Sequence, residues 1–141
     1  MPESTSKLQG PLEMWGGMEC SVVTIESRVE DQLARTGHDQ RLSDLDRFAE
    51  LGLRAMRFPV VWERHPGPVI DWEWADRRLE RLRELGIRPI VGLLHHGCGP
   101  TGECFLSSGF VPEFADFARQ VAERYPWVDA YTPVNEPLTT A

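Results

Sequence analysis

Long apolar runs are missing from this 141-residue chain, and none approaches the roughly 20 residues that a membrane helix needs. The opening stretch, "MPESTSKLQG", is polar and has no apolar core, so we expect a disordered tail over residues 1–11 and no secretory signal. Basic charge is also scarce: 15 Lys and Arg stand against 22 Asp and Glu, a net charge of −7. That balance argues against nucleic-acid binding, which relies on a clustered basic face. The arginines are interleaved with acids, as in "WADRRLERLRELG", the pattern of a solvated helix face. Cysteine is limited to three residues, an odd number with no disulfide framework. A reducing cytoplasm is the expected compartment, and a Cys98–Cys104 disulfide is disfavoured there. The glycine fingerprints of phosphate and dinucleotide sites are absent, since "WGGMEC" is not GxGxxG and no P-loop pattern occurs. No cofactor is expected.

What is present is a repeated unit. "AELGLRAMRFPVVW" (49–62) matches "RELGIRPIVGLLHH" (83–96) at an offset of 34 residues. In both, a helix ends in Leu-Gly and an apolar run follows at once. Gly52 and Gly86 stand where a helix C-terminus needs a left-handed residue. A looser third copy, "AERYPWVDAYTPVNE" (122–136), replaces the glycine turn with Tyr-Pro-Trp.

Helices are predicted over 41–51, 71–85 and 112–125. The second carries Ala75, Leu79 and Leu82 on one face, with Asp71 as its N-cap. The third has Pro112 in its first turn. Strands are predicted over 13–19, 53–62, 87–95 and 128–135, as near-continuous apolar runs suited to cover on both faces. Alternation of this kind implies a parallel sheet with right-handed crossovers. The unit length suits an eight-unit barrel of roughly 250 residues. The fold class expected is therefore α/β, the N-terminal half (four strands, three helices) of a (β/α)8 TIM barrel over residues 12–141.

Barrels of this kind build their sites at the C-terminal strand ends. Those ends carry Glu19 and Cys20, then Arg57, Trp62 and Glu63, then His95 and His96, and finally Asn135 and Glu136. Arg54, Arg88 and Asp129 fall at the opposite end and read as stability residues. A carboxyl at a strand end, enclosed by apolar walls, holds its proton more tightly, as a general acid must near neutral pH. Glycoside hydrolysis pairs such a group with a second carboxylate. In the blander reading, Glu136 is a surface loop residue, Arg57 a structural ion pair, His95 a core histidine and Trp62 wall packing.

Four motifs on four consecutive strand ends together resemble family 1 glycoside hydrolases, the β-glucosidase-like barrels of clan A. "TPVNEP" (132–137) is similar to that family's Thr-x-Asn-Glu-Pro, with one extra residue. "MWGG" (14–17), "MRFPVVWER" (56–64) and "GLLHH" (92–96) are similar to its first three strands. "WGGMEC" and "GLLHHG" resemble in particular a branch fused to a sugar-nucleotide (dTDP-4-dehydrorhamnose) reductase-like domain. The resemblance implies a retaining glycosidase with Glu136 as acid/base. It implies that Arg57 keeps the nucleophile ionised, and that Asn135 and His95 hydrogen-bond sugar hydroxyls. It also places His96, Trp62 and Glu19 at the substrate. Two positions depart from the family: Val23 falls where a sugar-binding Gln is expected, and His96 where a Trp is expected. Glu19 is the nearest polar substitute for the first.

The family's nucleophile belongs to a seventh strand, so the chain alone is expected to be an inactive fragment. The expected partners are a carbohydrate substrate and a C-terminal half-barrel. A second copy, pairing through open sheet edges, is the alternative to that half-barrel. One rival reading is a carbohydrate-binding or structural half-barrel. Another is a metal site from His95, His96, Cys98 and Cys104, but adjacent histidines on a strand point to opposite faces.

Overall fold

The computed structural model describes residues 11–65, 67, 69–100 and 105–140, with residues 139 and 140 by backbone alone. The expected tail, apart from Pro11, and Cys104 lie outside the described residues. No helix among them is long and apolar enough to cross a membrane.

Four strands form one parallel sheet: β1 (Trp15–Gly17), β4 (Ala55–Pro59), β5 (Arg88–His95) and β6 (Tyr131–Asn135), in that spatial order. The register pairs Gly17 with Arg57, Arg57 with Ile90, and His95 with Asn135. The class is α/β, with the strand order of the opening half of a (β/α)8 barrel. The helices expected between the strands are α2 (Asp44–Glu50), α3 (Glu73–Glu84) and α4 (Phe110–Arg124).

The repeated Leu-Gly junctions are real turns. Gly52 and Gly86 have φ of 86° and 69°. At the end of α3, the Gly86 N–H donates to Arg83 O at 3.1 Å and the Ile87 N–H to Leu82 O at 2.9 Å. At the end of α2, Gly52 and Leu53 donate likewise to Ala49 and Phe48. Both are Schellman turns, which satisfy the last helical carbonyls and send the chain straight into a strand. The N-cap of α3 is Trp72 and not Asp71 as expected, although Asp71 Oδ1 accepts from the Glu73 N–H at 2.9 Å. In place of a glycine turn, Tyr125 closes α4, and its hydroxyl donates to Asp76 on α3 at 2.9 Å.

Burial follows from this layering. The α3 face predicted from Ala75, Leu79 and Leu82 is buried, together with Phe58 and Val91 of the sheet. Fully burying a Leu, Val or Phe side chain contributes about 1.5–3 kcal/mol. Arg54 sits at the N-terminal rim: its N–H donates to Met14 O, and its carbonyl accepts from the Arg88 N–H, both at 2.9 Å.

Three features differ from expectation. Strand β1 has three residues, not seven. Strand β4 stops at Pro59 instead of Trp62, because Val61 adopts φ 46° and turns the chain into a single 3₁₀ turn over Trp62–Arg64. A hairpin, β2 (Val22–Ile25) against β3 (Arg28–Asp31), and a short helix, α1 (Gln32–Thr36), occupy the stretch after β1. A last short helix, α5 (Pro137–Thr140), follows β6.

Candidate active site at the strand ends

Sheet register alone brings the polar strand-end residues together, since residues at the ends of adjacent parallel strands are neighbours. Arg57 on β4 reaches past β5 to β6, where its Nη1–H donates to Asn135 Oδ1 at 2.6 Å. Asn135 Nδ2 lies 2.9 Å from His96 Nε2. The same His96 nitrogen is 3.5 Å from Glu136 Oε2. On the other flank, His95 Nε2 stands 3.3 Å from Glu19 Oε2. Five of the six substrate or catalytic candidates around Arg57 therefore gather beside it: Asn135, His96 and Glu136 in one chain of polar contacts, and Glu19 and His95 as a second pair that meets the first through the two histidine rings.

The two histidines do not point to opposite faces. The strand ends at His95, and His96 adopts φ 57°, a left-handed conformation that costs of order 1 kcal/mol or more for a non-glycine residue. That turn brings the rings edge to face, with centroids 4.8 Å apart. Burial holds the His95 imidazole below its ordinary pKa, and the neighbouring His96 adds to the effect, while Glu19 opposes both. His95 is thus neutral at neutral pH, and it meets the Glu19 carboxylate favourably with its proton on Nε2.

Trp62 is not part of this cluster. It is 5% exposed and stacks on Phe117 of α4 at 5.3 Å, with Phe110 and Phe114 tilted against it. The left-handed Val61 swings it away from the strand ends into the helix layer, so its role is packing. Val23, aligned with the family's sugar-binding Gln, pairs with Glu30 in the separate hairpin sheet. Glu136 is less enclosed than expected: its side chain is 63% exposed, and it directly follows a strand that, among the described residues, pairs with β5 alone.

One carboxyl at this rim is enclosed, and no motif marked it as functional. Glu63 Oε1 is shielded from solvent and has no hydrogen-bond partner among the described residues. Burial pushes this carboxyl up to about 7, with Asp31 reinforcing the shift. It lies against Gly97, where an added Cβ would sit 1.9 Å from Oε1. Glycine is therefore required where the loop after β5 crosses the turn after β4. Nearby, the buried Cys20 thiol is free and pushed up to about 12, chiefly by burial and then by Glu63. Cys98 is disulfide-bonded to a partner outside the described residues, against the expectation of free thiols. That bond takes Cys98 out of any thiolate ligand set.

No protein-family model and no curated protein matches the sequence. Solved structures do. The AHE enzyme from Alicyclobacillus herbarius superposes with a TM-score of 0.66 at 29% identity, over 74% of this chain and 26% of that one. Beta-glucosidase 2 from the fungus Trichoderma reesei gives 0.56 at 26%, over 79% and 26%. The endoglucanase Cel5A from Pseudomonas stutzeri also gives 0.56 at 26%, over 69% and 32%. The chain spans between about a quarter and a third of the length of these proteins. Its fold is glycosidase-like. A beta-glucosidase and an endoglucanase match it equally well, so the fold does not distinguish between their substrates.

Proposed function

We propose that this chain carries the acid/base half of a retaining glycosidase of the family 1 type. The observation that supports the reading is the single network joining Arg57, Asn135, His96 and Glu136 across β4, β5 and β6. Glu136 protonates the leaving glycosidic oxygen as the bond to the sugar breaks, then takes a proton from the attacking water in the second step. The nucleophile is a second carboxylate, supplied by strands beyond these four. Arg57 is a fixed positive charge that favours the ionised form of such a group. Asn135 and His95 lie where sugar hydroxyls would be held.

The two-carboxylate division makes a direct claim about the chain itself. The 141 residues should hydrolyse no aryl glycoside, because protonation without a nucleophile completes neither step. Turnover that disappears on Glu136→Gln would overturn that division. The finer likeness to the reductase-fused branch rests on two short motifs. A dinucleotide-binding domain in the coding sequence downstream would support it, and a plain barrel would contradict it.

A second reading draws on the exposure of Glu136. A half-barrel that binds carbohydrate without chemistry needs no enclosed acid. Two copies pairing their sheet edges would form it, and gel filtration tests for the resulting dimer.

A further inference from the structure

The turn after β4 and the loop after β5 hold each other in place. Gly97 lies on Glu63, and an added Cβ at Gly99 would sit 2.8 Å from the Trp62 ring. Each segment starts at a non-glycine residue in the left-handed region, Val61 at φ 46° and His96 at φ 57°. Such conformations persist only where the surrounding packing over-determines them. Here that packing includes the contact between the two segments. At the contact is an acidic oxygen: Glu63 Oε1 is shielded from solvent and has no hydrogen-bond partner among the described residues. Such an oxygen costs far less as part of a neutral carboxyl than as part of a carboxylate.

None of the charged groups nearby gives Oε1 a partner. From the end of β3, Asp31 acts on Glu63 with like charge. Arg64, on the same turn, gives its guanidinium to Asp31, with Nε and Nη2 at 2.8 and 2.6 Å from Oδ2. The next residue, His65, has its ring against Trp72, with centroids 6.5 Å apart. In the segment after β1, the Cys20 thiol feels Glu63, Arg57, Glu19 and Asp31, all behind burial itself. Arg57 is the cation of that group, and it donates to Asn135. The loop after β5 puts Gly97 against the carboxyl, one residue beyond His96.

We propose that Glu63 is a pH-sensitive latch: as the neutral acid it seats the 97–99 loop on the turn after β4, and when its proton passes to water the two segments part and the carboxylate is solvated. Cys98, between the two glycines, is disulfide-bonded, so the loop stays tethered and its excursion is short. His96 begins that loop and contacts Asn135 and Glu136, so the latch adjoins the candidate site. It goes beyond the glycosidase reading and does not depend on it.

The test is hydrogen exchange at the amides of residues 96–99 as a function of pH, each rate divided by its intrinsic rate. The Glu63 carboxyl titrates at about 7 with the latch closed and at its ordinary 4.5 once solvated. The closed form therefore binds more protons between those values, and opening should increase about tenfold per pH unit there and level off above. The plateau should coincide with titration of the Glu63 carboxyl ¹³C signal. Glu63→Gln is neutral throughout and should give a flat profile. A flat wild-type profile would overturn the proposal, as would the wild-type slope in a folded Glu63→Gln protein. So would a plateau that follows the His96 ring and not the Glu63 carboxyl. Loop amides as well protected as those of β5 would also overturn it, because they would then open only by global unfolding. If the variant does not fold, the wild-type profile and the Glu63 titration decide. Neither readout involves turnover: failure of the latch leaves the glycosidase reading standing, and failure of that reading in an activity assay leaves the latch intact.

Discussion

The turn after β4 and the end of β6 lie on the same rim of the sheet, and each carries a glutamate. After β4, Glu63 is shut away beneath Gly97, and burial lifts its carboxyl to about 7. After β6, Glu136 is 63% exposed and in contact with His96. Among the described residues, strand β4 has neighbours on both sides, whereas β6 has β5 alone. Enclosure is thus a property of the strand's place in the sheet and not of the residue. A motif can mark the glutamate proposed to do chemistry, but the walls around it come from the next strand along. In these four strands the environment suited to a proton-holding carboxyl surrounds Glu63, while the site contacts belong to Glu136.

Breaking the β4 side should cost most. Trp62→Ala empties the centre of the stack formed with Phe110, Phe114 and Phe117. We expect a loss of about 3–5 kcal/mol in urea unfolding. A loss below about 1 kcal/mol would mean that the aromatic layer does not hold that turn.

Next comes Glu63 itself. Its folded pKa is raised from 4.5 to about 7, so the folded state binds more protons than the unfolded state between those values. Stability should therefore fall as pH rises through that window, by up to about 1.4 kcal/mol per pH unit, and level off above it. Glu63→Gln should flatten the curve across the window, and its stability should exceed that of the wild type increasingly toward pH 7. Parallel curves for the two proteins would show that Glu63 titrates normally. The smallest effect belongs to the β6 side. Glu136→Gln removes a charge from an exposed side chain and should change stability by no more than about 0.5 kcal/mol. A larger change would show that Glu136 is structural.

Much of this architecture was legible in the sequence. The Leu-Gly junctions at 51–52 and 85–86 specify two Schellman turns, and the apolar runs after them are β4 and β5. The α3 face followed from periodicity. The β2–β3 hairpin did not show, because its strands are only four residues each and have no buried residue, where the search was for runs buried on both faces. Its turn also lacks the usual glycine or asparagine signal, as Glu26 takes φ 58° instead. At the site, motifs located Arg57, His95, Asn135 and Glu136. The same strand alternation misread His95 and His96, because the left-handed turn at His96 overrides it. Another left-handed residue, Val61, sent Trp62 into the core. Non-glycine residues in that conformation leave no mark in composition or spacing. Glu63 was visible as a strand-end carboxyl, but only the packing of Gly97 on it shows that it is enclosed.

The central claim is that Glu136 is the proton donor of a two-carboxylate glycosidase. It is tested most directly by Glu136→Gln in a form of the protein that carries the remaining strands, assayed on two aryl glycosides with good and poor leaving groups. A poor leaving group needs protonation, so its hydrolysis should fall by about 10²–10⁴-fold. Bond cleavage with the good leaving group should be far less affected. Equal loss on both substrates, or no loss on either, would contradict the claim.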